Sequence, residues 1–255
     1  MIFTNLVQAN LNTEKFGRRI EYYNRLSSTN VEAWNLINDN TVNGSIVITD
    51  NQYEGKGQST KGWFSGISKG LAMSIIINEK IDVKLSGILS LMAGLSVHKC
   101  IESYKINSTL KWPNDIMIED KKICGVLSES KISKKHLSKT VVGIGLNINE
   151  ELSDFPNDLK DIATSFKIIS NKVFQRELII ATILNNFEEY YNILQNDSNR
   201  IIKEWSSNCA YINKEINFLD NNKLKTGLFI GINQYGHAQL KINNKIENFN
   251  SLIHV

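Results

Sequence analysis

Apolar residues in this chain recur with two different periods, and the two periods alternate along it. "GSIVIT" and "LAMSIIIN" are short, β-branched and apolar, which is the composition of buried strands. From Lys84 to Ser103 the apolar positions (Leu85, Ile88, Leu89, Met92, Leu95) fall at helical spacing instead. Short strands follow in "STLKW", "DIMIED", "KICGVLSES" and "TVVGIGLNI", with "EDKK" as a hairpin turn. "FQRELIIATILNNFEEYYNIL" then reads as a long helix, with a shorter one around Ile201–Trp205. After Cys209 the texture changes. "KEINFLD", "KLKTGLFIGINQ", "HAQLKIN" and "KIENFNSLIHV" are closely spaced strands parted by Asn- and Gly-containing turns. The pattern implies an α+β domain over residues 1–209 with a small all-β module over 210–255. A further helix start stands at "SSTNVEAWNLI", where Thr29 and Glu32 have the spacing of a capping box.

A chain of 255 residues can bury a substantial core, and 42% hydrophobic with 22% charged residues is ordinary for a globular protein. The net charge of +3 is too weak to point to a nucleic-acid partner by itself. Cys100, Cys124 and Cys209 lie far apart with no CxxC pair, which argues for a reducing compartment and against a disulfide framework or zinc site. The amino terminus lacks the apolar core of a signal peptide, and no apolar run is long enough to span a bilayer. A cytoplasmic protein is the expectation.

Three stretches hold residues able to do chemistry. "YEGKGQSTKGWFS" joins two predicted strands. It matches neither the P-loop nor the dinucleotide fingerprint. Its glycines still allow backbone amides near an anion, Lys56 and Lys61 add charge, and Trp63 offers a flat face to a planar group. The alternative is a solvated surface loop with Trp63 anchored in the core. In "LKWPNDIMIEDKKICG", Pro113 forces a turn that presents Asn114 and Asp115, and Lys121 and Lys122 begin the next strand. Taken singly, a simple turn and a solvated hairpin explain these as well. "VVGIGLNIN" adds Gly143 and Gly145, where a ligand or backbone can approach closely, and Asn147 in an apolar run. That amide needs partners, from a ligand or from the protein itself. The four histidines are scattered and read as structural or surface residues.

Taken together, "SSTN", "QYEGKG…GWFS", "KWPNDIMI…KKICGVLSE" and "GIGLNIN" resemble, in order and spacing, the motifs of biotin protein ligases, over most of Asn24 to Asn149. The β-rich tail resembles that family's small carboxy-terminal domain. The resemblance implies a mixed β-sheet catalytic domain flanked by helices, of the class II aminoacyl-tRNA synthetase/biotin ligase kind, with an SH3-like β-barrel after it. It implies ATP with Mg²⁺ as co-substrate, biotinyl-5′-AMP as intermediate, and transfer to a lysine of a biotin carboxyl carrier domain, in this case by a monomer or homodimer. Carried onto matching positions, Ser28, Thr29, Asn30 and Gln52 meet the biotin ring system, with Gly125 beside it. Lys56, Gly57 and Gln58 close over biotin and the adenylate, and Lys122 binds the biotin carboxylate, so that Lys56 and Lys122 are the catalytic pair. Trp63 stacks on adenine, Asn147 hydrogen-bonds it, and Asn114 with Asp115 lies near the phosphate and its ion.

The loop departs from the family's GRG pattern, since Lys56 keeps charge but not bidentate geometry, and weaker adenylate retention is expected. Too few residues precede the first motif to build the winged helix that some relatives carry, so neither operator DNA nor a membrane is an expected partner. A lipoate ligase or octanoyl transferase is the enzymatic rival and shares the broad fold. KWPND and the β tail favour biotin. A non-catalytic biotin sensor is the other alternative, and it needs neither the lysine nor the Asn-Asp pair.

Overall fold

The computed structural model describes every residue of the chain except 39, 58–61, 221–222, 252 and 255. In chain order the elements are α1 (Thr4–Ala9), β1 (Ile20–Tyr23), α2 (Thr29–Leu36), β2 (Ile46–Thr49), β3 (Leu71–Ile77), β4 (Ile81–Asp82), α3 (Ser86–Ser103), β5 (Thr109–Lys111), β6 (Asp115–Ile118), β7 (Lys121–Ser133) and β8 (His136–Leu146). They continue with α4 (Phe166–Ser170), α5 (Arg176–Asn196), α6 (Ser198–Ser207), β9 (Lys214–Asp220), β10 (Lys223–Ile232), β11 (Ala238–Ile242), β12 (Lys245–Phe249) and β13 (Ile253–His254). The first eight strands form one mixed sheet in the order β1-β2-β3-β8-β7-β6-β5, with β4 paired to β8. Only the β1–β2 pairing is parallel among those described. The last five strands make a separate antiparallel sheet, β12-β11-β10-β9-β13. This is the expected fold class.

Strand alternation gives the large sheet two unlike faces. Leu71, Met73, Ile75 and Ile77 of β3 join Ile46 and Ile48 of β2 in the main core under α3 and α5. On the opposite face Val47, Ile76 and Val141 pack against Ala33 of α2. That helix covers only the β2, β3 and β8 part of its face. The remainder, beyond the N-terminus of α2, is open to hold the site.

The small sheet is fastened to the large one by a turn. Trp112, buried at the end of β5, donates its indole N–H to the carbonyl of Gly236 at 2.9 Å. Gly87 in α3 meets the same turn so closely that a Cβ there would overlap the Tyr235 carbonyl oxygen. Gly236 has φ of +83° and abuts Gly87 in return. Among the described residues no helix is long and apolar enough to cross a membrane.

Several local expectations need correction. Thr29 is the first helical residue of α2 rather than its cap, and Ser28 at the cap position makes no side-chain cap bond. The Thr29 hydroxyl is held by Ser74 and Glu32 by Tyr23, so tertiary partners outcompete the capping box. The hairpin β7–β8 also runs farther than "KICGVLSES" and "TVVGIGLNI", through the polar stretch around Lys134 and Lys135. There the backbone ladder continues although no apolar alternation marks it.

Candidate active site

A furrow crosses the open face because small residues stand side by side across four strands. Ala72, Gly145, Gly125 and Asp115 are in register on β3, β8, β7 and β6. The next row is Ser74, Gly143 and Leu127. With so little side chain rising from the sheet, a cavity of about 650 Å³ remains, within the range of small-molecule sites. The segment around Phe155 to Ala163 forms its far wall. It pairs with the backbone of Lys122, whose N–H bonds Ile162 O at 2.8 Å and whose carbonyl accepts from Thr164 N at 3.0 Å.

One end of the furrow is polar and closely bonded. Gln52 accepts from the Thr29 amide at 2.8 Å. The Ser74 hydroxyl lies 2.7 Å from Thr29 Oγ1 and 2.6 Å from Asn30 Oδ1. Asn30 Nδ2 donates to Glu129 Oε2 at 2.7 Å. Gly143 is required here, since a Cβ would overlap the Asn30 amide oxygen.

The other end carries charge. Lys122 Nζ lies 2.6 Å from Asp115 Oδ1 and 5.6 Å from the centre of the Trp63 ring. Trp63 lies in the furrow over Gly145 and Gly125, and its indole N–H is buried with no hydrogen-bond partner among the described residues. The loop before it is gathered at its neck. Trp63 N bonds Gly55 O at 2.8 Å and Lys56 forms a bridge with Gly62. Asn114 donates to Val126 O at 2.6 Å, and Asn147 donates to Thr164 O at 2.9 Å. Both amides therefore brace the walls they belong to while facing the cavity.

Downstream of the loop, Glu150 is fully buried. It accepts from Ile148 N at 2.7 Å and from Gly66 N at 3.2 Å. Burial pushes its carboxyl up to about 7, against the lowering pull of these backbone donors.

Residues 22–147 match the model of the biotin/lipoate A/B protein ligase family. The chain is 33% identical over 243 residues to the bifunctional ligase/repressor BirA of Bacillus subtilis, covering 94% of this chain and 75% of that protein. The chain belongs to the biotin/lipoate A/B protein ligase family. Another member similar to it is the biotin–[acetyl-CoA-carboxylase] ligase of Mycobacterium tuberculosis, 28% identical over 58% of this chain and 54% of that one. In three dimensions it resembles the biotin protein ligase from Aquifex aeolicus in complex with biotin and ATP. The TM-score is 0.79 at 28% identity, with 93% and 98% of the two chains covered.

For a member of the biotin/lipoate A/B protein ligase family, the placement of the sequence-derived candidates is compact. Ser28, Thr29, Asn30, Gln52, Lys56, Gly57, Trp63, Asn114, Asp115, Lys122, Gly125 and Asn147 all line this cavity. Gln58, Ser59, Thr60 and Lys61 lie outside the described residues. Ser74 and Glu129 were not singled out from sequence, nor were Lys111, Phe155 and Ser251, which also line or support the cavity. For Ser74 a weak signal existed, a polar residue whose immediate neighbours Met73 and Ile75 belong to the main core on the other face, while Glu129 stands between two serines and carries none. Ser251 comes from the small sheet's end of the chain and carries no such mark.

Proposed function

We propose that this chain is an ATP-dependent, AMP-forming biotin–protein ligase, which activates biotin as biotinyl-5′-AMP and passes it to a lysine of a biotin carboxyl carrier domain. One observation carries this: segments far apart in sequence meet in one cavity that is lined by uncharged polar side chains at one end and bears Lys122, Asp115 and Trp63 at the other.

The chemistry joins an acid to a polyanion, so like charges must be brought together. Biotin's ring system lies among Ser28, Thr29, Asn30 and Gln52, and its carboxylate reaches Lys122. Lys56, Gly57 and Gln58 lie over it, and adenine stacks on Trp63 beside Asn147. A carboxylate oxygen attacks the α-phosphorus, the bond to the bridging oxygen breaks, and pyrophosphate leaves. Lys122 and Lys56 offset the repulsion, and alignment of the two reactants lowers the barrier further. The carrier's lysine amine then attacks the acyl carbon and AMP departs with the bonding pair. No protein nucleophile enters either step. Mg²⁺ binds through one or two carboxylates plus substrate phosphates, and Asp115 with Asn114 at the charged end suits such a site. With ATP bound, the ion supplies charge neutralisation there. Catalysis is assigned to residues 1–209 and residues 210–255 form the SH3-like domain, in a protein working in the cytoplasm as monomer or homodimer.

Lys122→Ala tests this directly. Biotin-dependent ATP–pyrophosphate exchange should fall at least about 100-fold with the melting temperature little changed. Exchange near the wild-type rate would remove Lys122 from the mechanism. Incubation with ATP, biotin and a carrier domain, probed with streptavidin, separates a ligase from a passive biotin sensor. Stabilisation by lipoate with ATP, and none by biotin with ATP, would favour the lipoate rival.

A further inference from the structure

The hydrogen bonds at the Asn30 end of the cavity have a direction, and Glu129 sets it. A carboxylate can only accept, so the group of Asn30 at 2.7 Å from Glu129 Oε2 is its NH₂, which also faces Leu127 O at 3.4 Å. The Asn30 amide oxygen is thereby turned toward Ser74, and the single hydroxyl hydrogen of Ser74 goes to it across 2.6 Å. Ser74 then has only lone pairs for Thr29, so the Thr29 hydroxyl must donate toward Ser74 Oγ at 2.7 Å or Gln52 Oε1 at 3.3 Å. Gln52 Oε1 is already taken by the Thr29 amide at 2.8 Å, which leaves the Gln52 NH₂ as the donor on that side. The roles of Asn30 and Ser74 thus follow from one anion, and Gln52 is oriented separately by the Thr29 backbone amide. Ser74 is fully buried and Thr29 and Asn30 are nearly so, which makes a reversal of any one bond costly.

We propose that Glu129 is a positioning residue that imposes this donor–acceptor order on the cavity floor through Asn30, Ser74 and Thr29, and so selects a ligand head carrying both N–H donors and a carbonyl, as a cyclic urea does. The floor offers acceptor oxygens at Asn30 and Thr29 and an amide donor at Gln52. A urea presents the complementary set, and a ring without polar atoms leaves the whole set unpaired. This rests on the biotin ligase reading and adds to it a residue that lies behind Asn30 rather than against the ligand.

Titration calorimetry of the full chain with biotin and, separately, with MgATP tests the assignment. Glu129→Leu, which deletes the acceptor and allows Asn30 to turn over, should weaken biotin binding about 10- to 100-fold. It should raise the KM for biotin equally, with kcat and the ATP affinity within about twofold. Glu129→Gln can still accept from Asn30 through its amide oxygen and should recover most of the loss. A merely structural role would lower both affinities together and would not distinguish Leu from Gln. Ser74→Ala breaks the same chain at its middle, in case Glu129→Leu fails to fold, and should also weaken biotin selectively, by about 10-fold. Biotin affinities within twofold of wild type in Glu129→Leu, or in Ser74→Ala where Glu129→Leu does not fold, would overturn the proposal. A wild-type protein that gives no biotin isotherm would instead overturn the ligase reading, and this inference with it.

Discussion

A methyl group at position 145 would overlap the five-membered ring of Trp63, so the indole rests on bare backbone there. Gly145→Ala should therefore lift Trp63 off the sheet. We expect a stability cost of about 1–3 kcal/mol and a fall of at least about 10-fold in biotin-dependent pyrophosphate exchange. Denaturant melts and the exchange assay would show it, and an unchanged exchange rate would mean the indole's seat is irrelevant to turnover. At this scale much of the site was legible, because motif residues such as Lys122, Asp115 and Asn147 carry chemistry in their type. Ser74 and Glu129 escaped notice for a physical reason. In one dimension Ser74 looks like an interruption of an apolar run and Glu129 like part of a polar one, and only the pairing of β3, β8 and β7 shows that both face Asn30.

At the scale of elements, the turn after β8 holds a carboxyl under tension with its surroundings. Glu150, pushed up to about 7 from 4.5, stays protonated in the folded state where an unfolded chain has already released its proton. The folded state therefore binds more protons at this site between these two values, so the contribution of Glu150 to stability is greatest below pH 4.5, declines as pH rises to about 7, and is level beyond it. A shift of this size corresponds to roughly 3 kcal/mol. Urea unfolding at pH 5 and pH 8 should show this decline in the wild type, with Glu150→Gln lacking it. Equal slopes in the two proteins would dismiss Glu150 as its source. The helices α3 and α5 and most strands could be read from apolar period alone. The short elements α1, β1 and β4 could not, since β1 offers four half-buried residues and no alternation to detect. Their existence depends on neighbours: β1 forms only because β2 lies parallel to it.

For the whole molecule, the two sheets meet where chemistry is close by. Trp112, bonded to Gly236, is two residues from Asn114 and three from Asp115. Gly87→Ala should drive its Cβ into the Tyr235 carbonyl, costing about 1–3 kcal/mol and lowering exchange activity by displacing the turn that presents Asp115. Retained activity in a destabilised Gly87→Ala protein would separate the contact from catalysis. Buried charge fixes the opposite side. Arg176 at the start of α5 pairs with Asp50 at 2.7 Å and bonds Gly70 O at 3.2 Å, beside the strands that flank the loop. Burial alone would raise the Asp50 carboxyl, yet Tyr22 and Arg176 hold it below its ordinary value. Arg176→Met leaves that carboxylate with only the Tyr22 hydroxyl and the Met1 ammonium as partners and should cost up to about 3 kcal/mol, read by thermal or urea unfolding.

The fit of Gly87 against Gly236 also sets a condition on exchanging parts between relatives. A methyl on Gly87 would meet the Tyr235 carbonyl and one on Gly236 would meet the Gly87 backbone, so neither position accepts a side chain while the two segments keep this distance. A chimera that grafts a foreign tail onto this chain would have to bring a turn whose backbone carbonyl meets Trp112 and whose apex tolerates α3 at bare-backbone distance. Grafts lacking that geometry should assemble two sound halves with a misaligned seam.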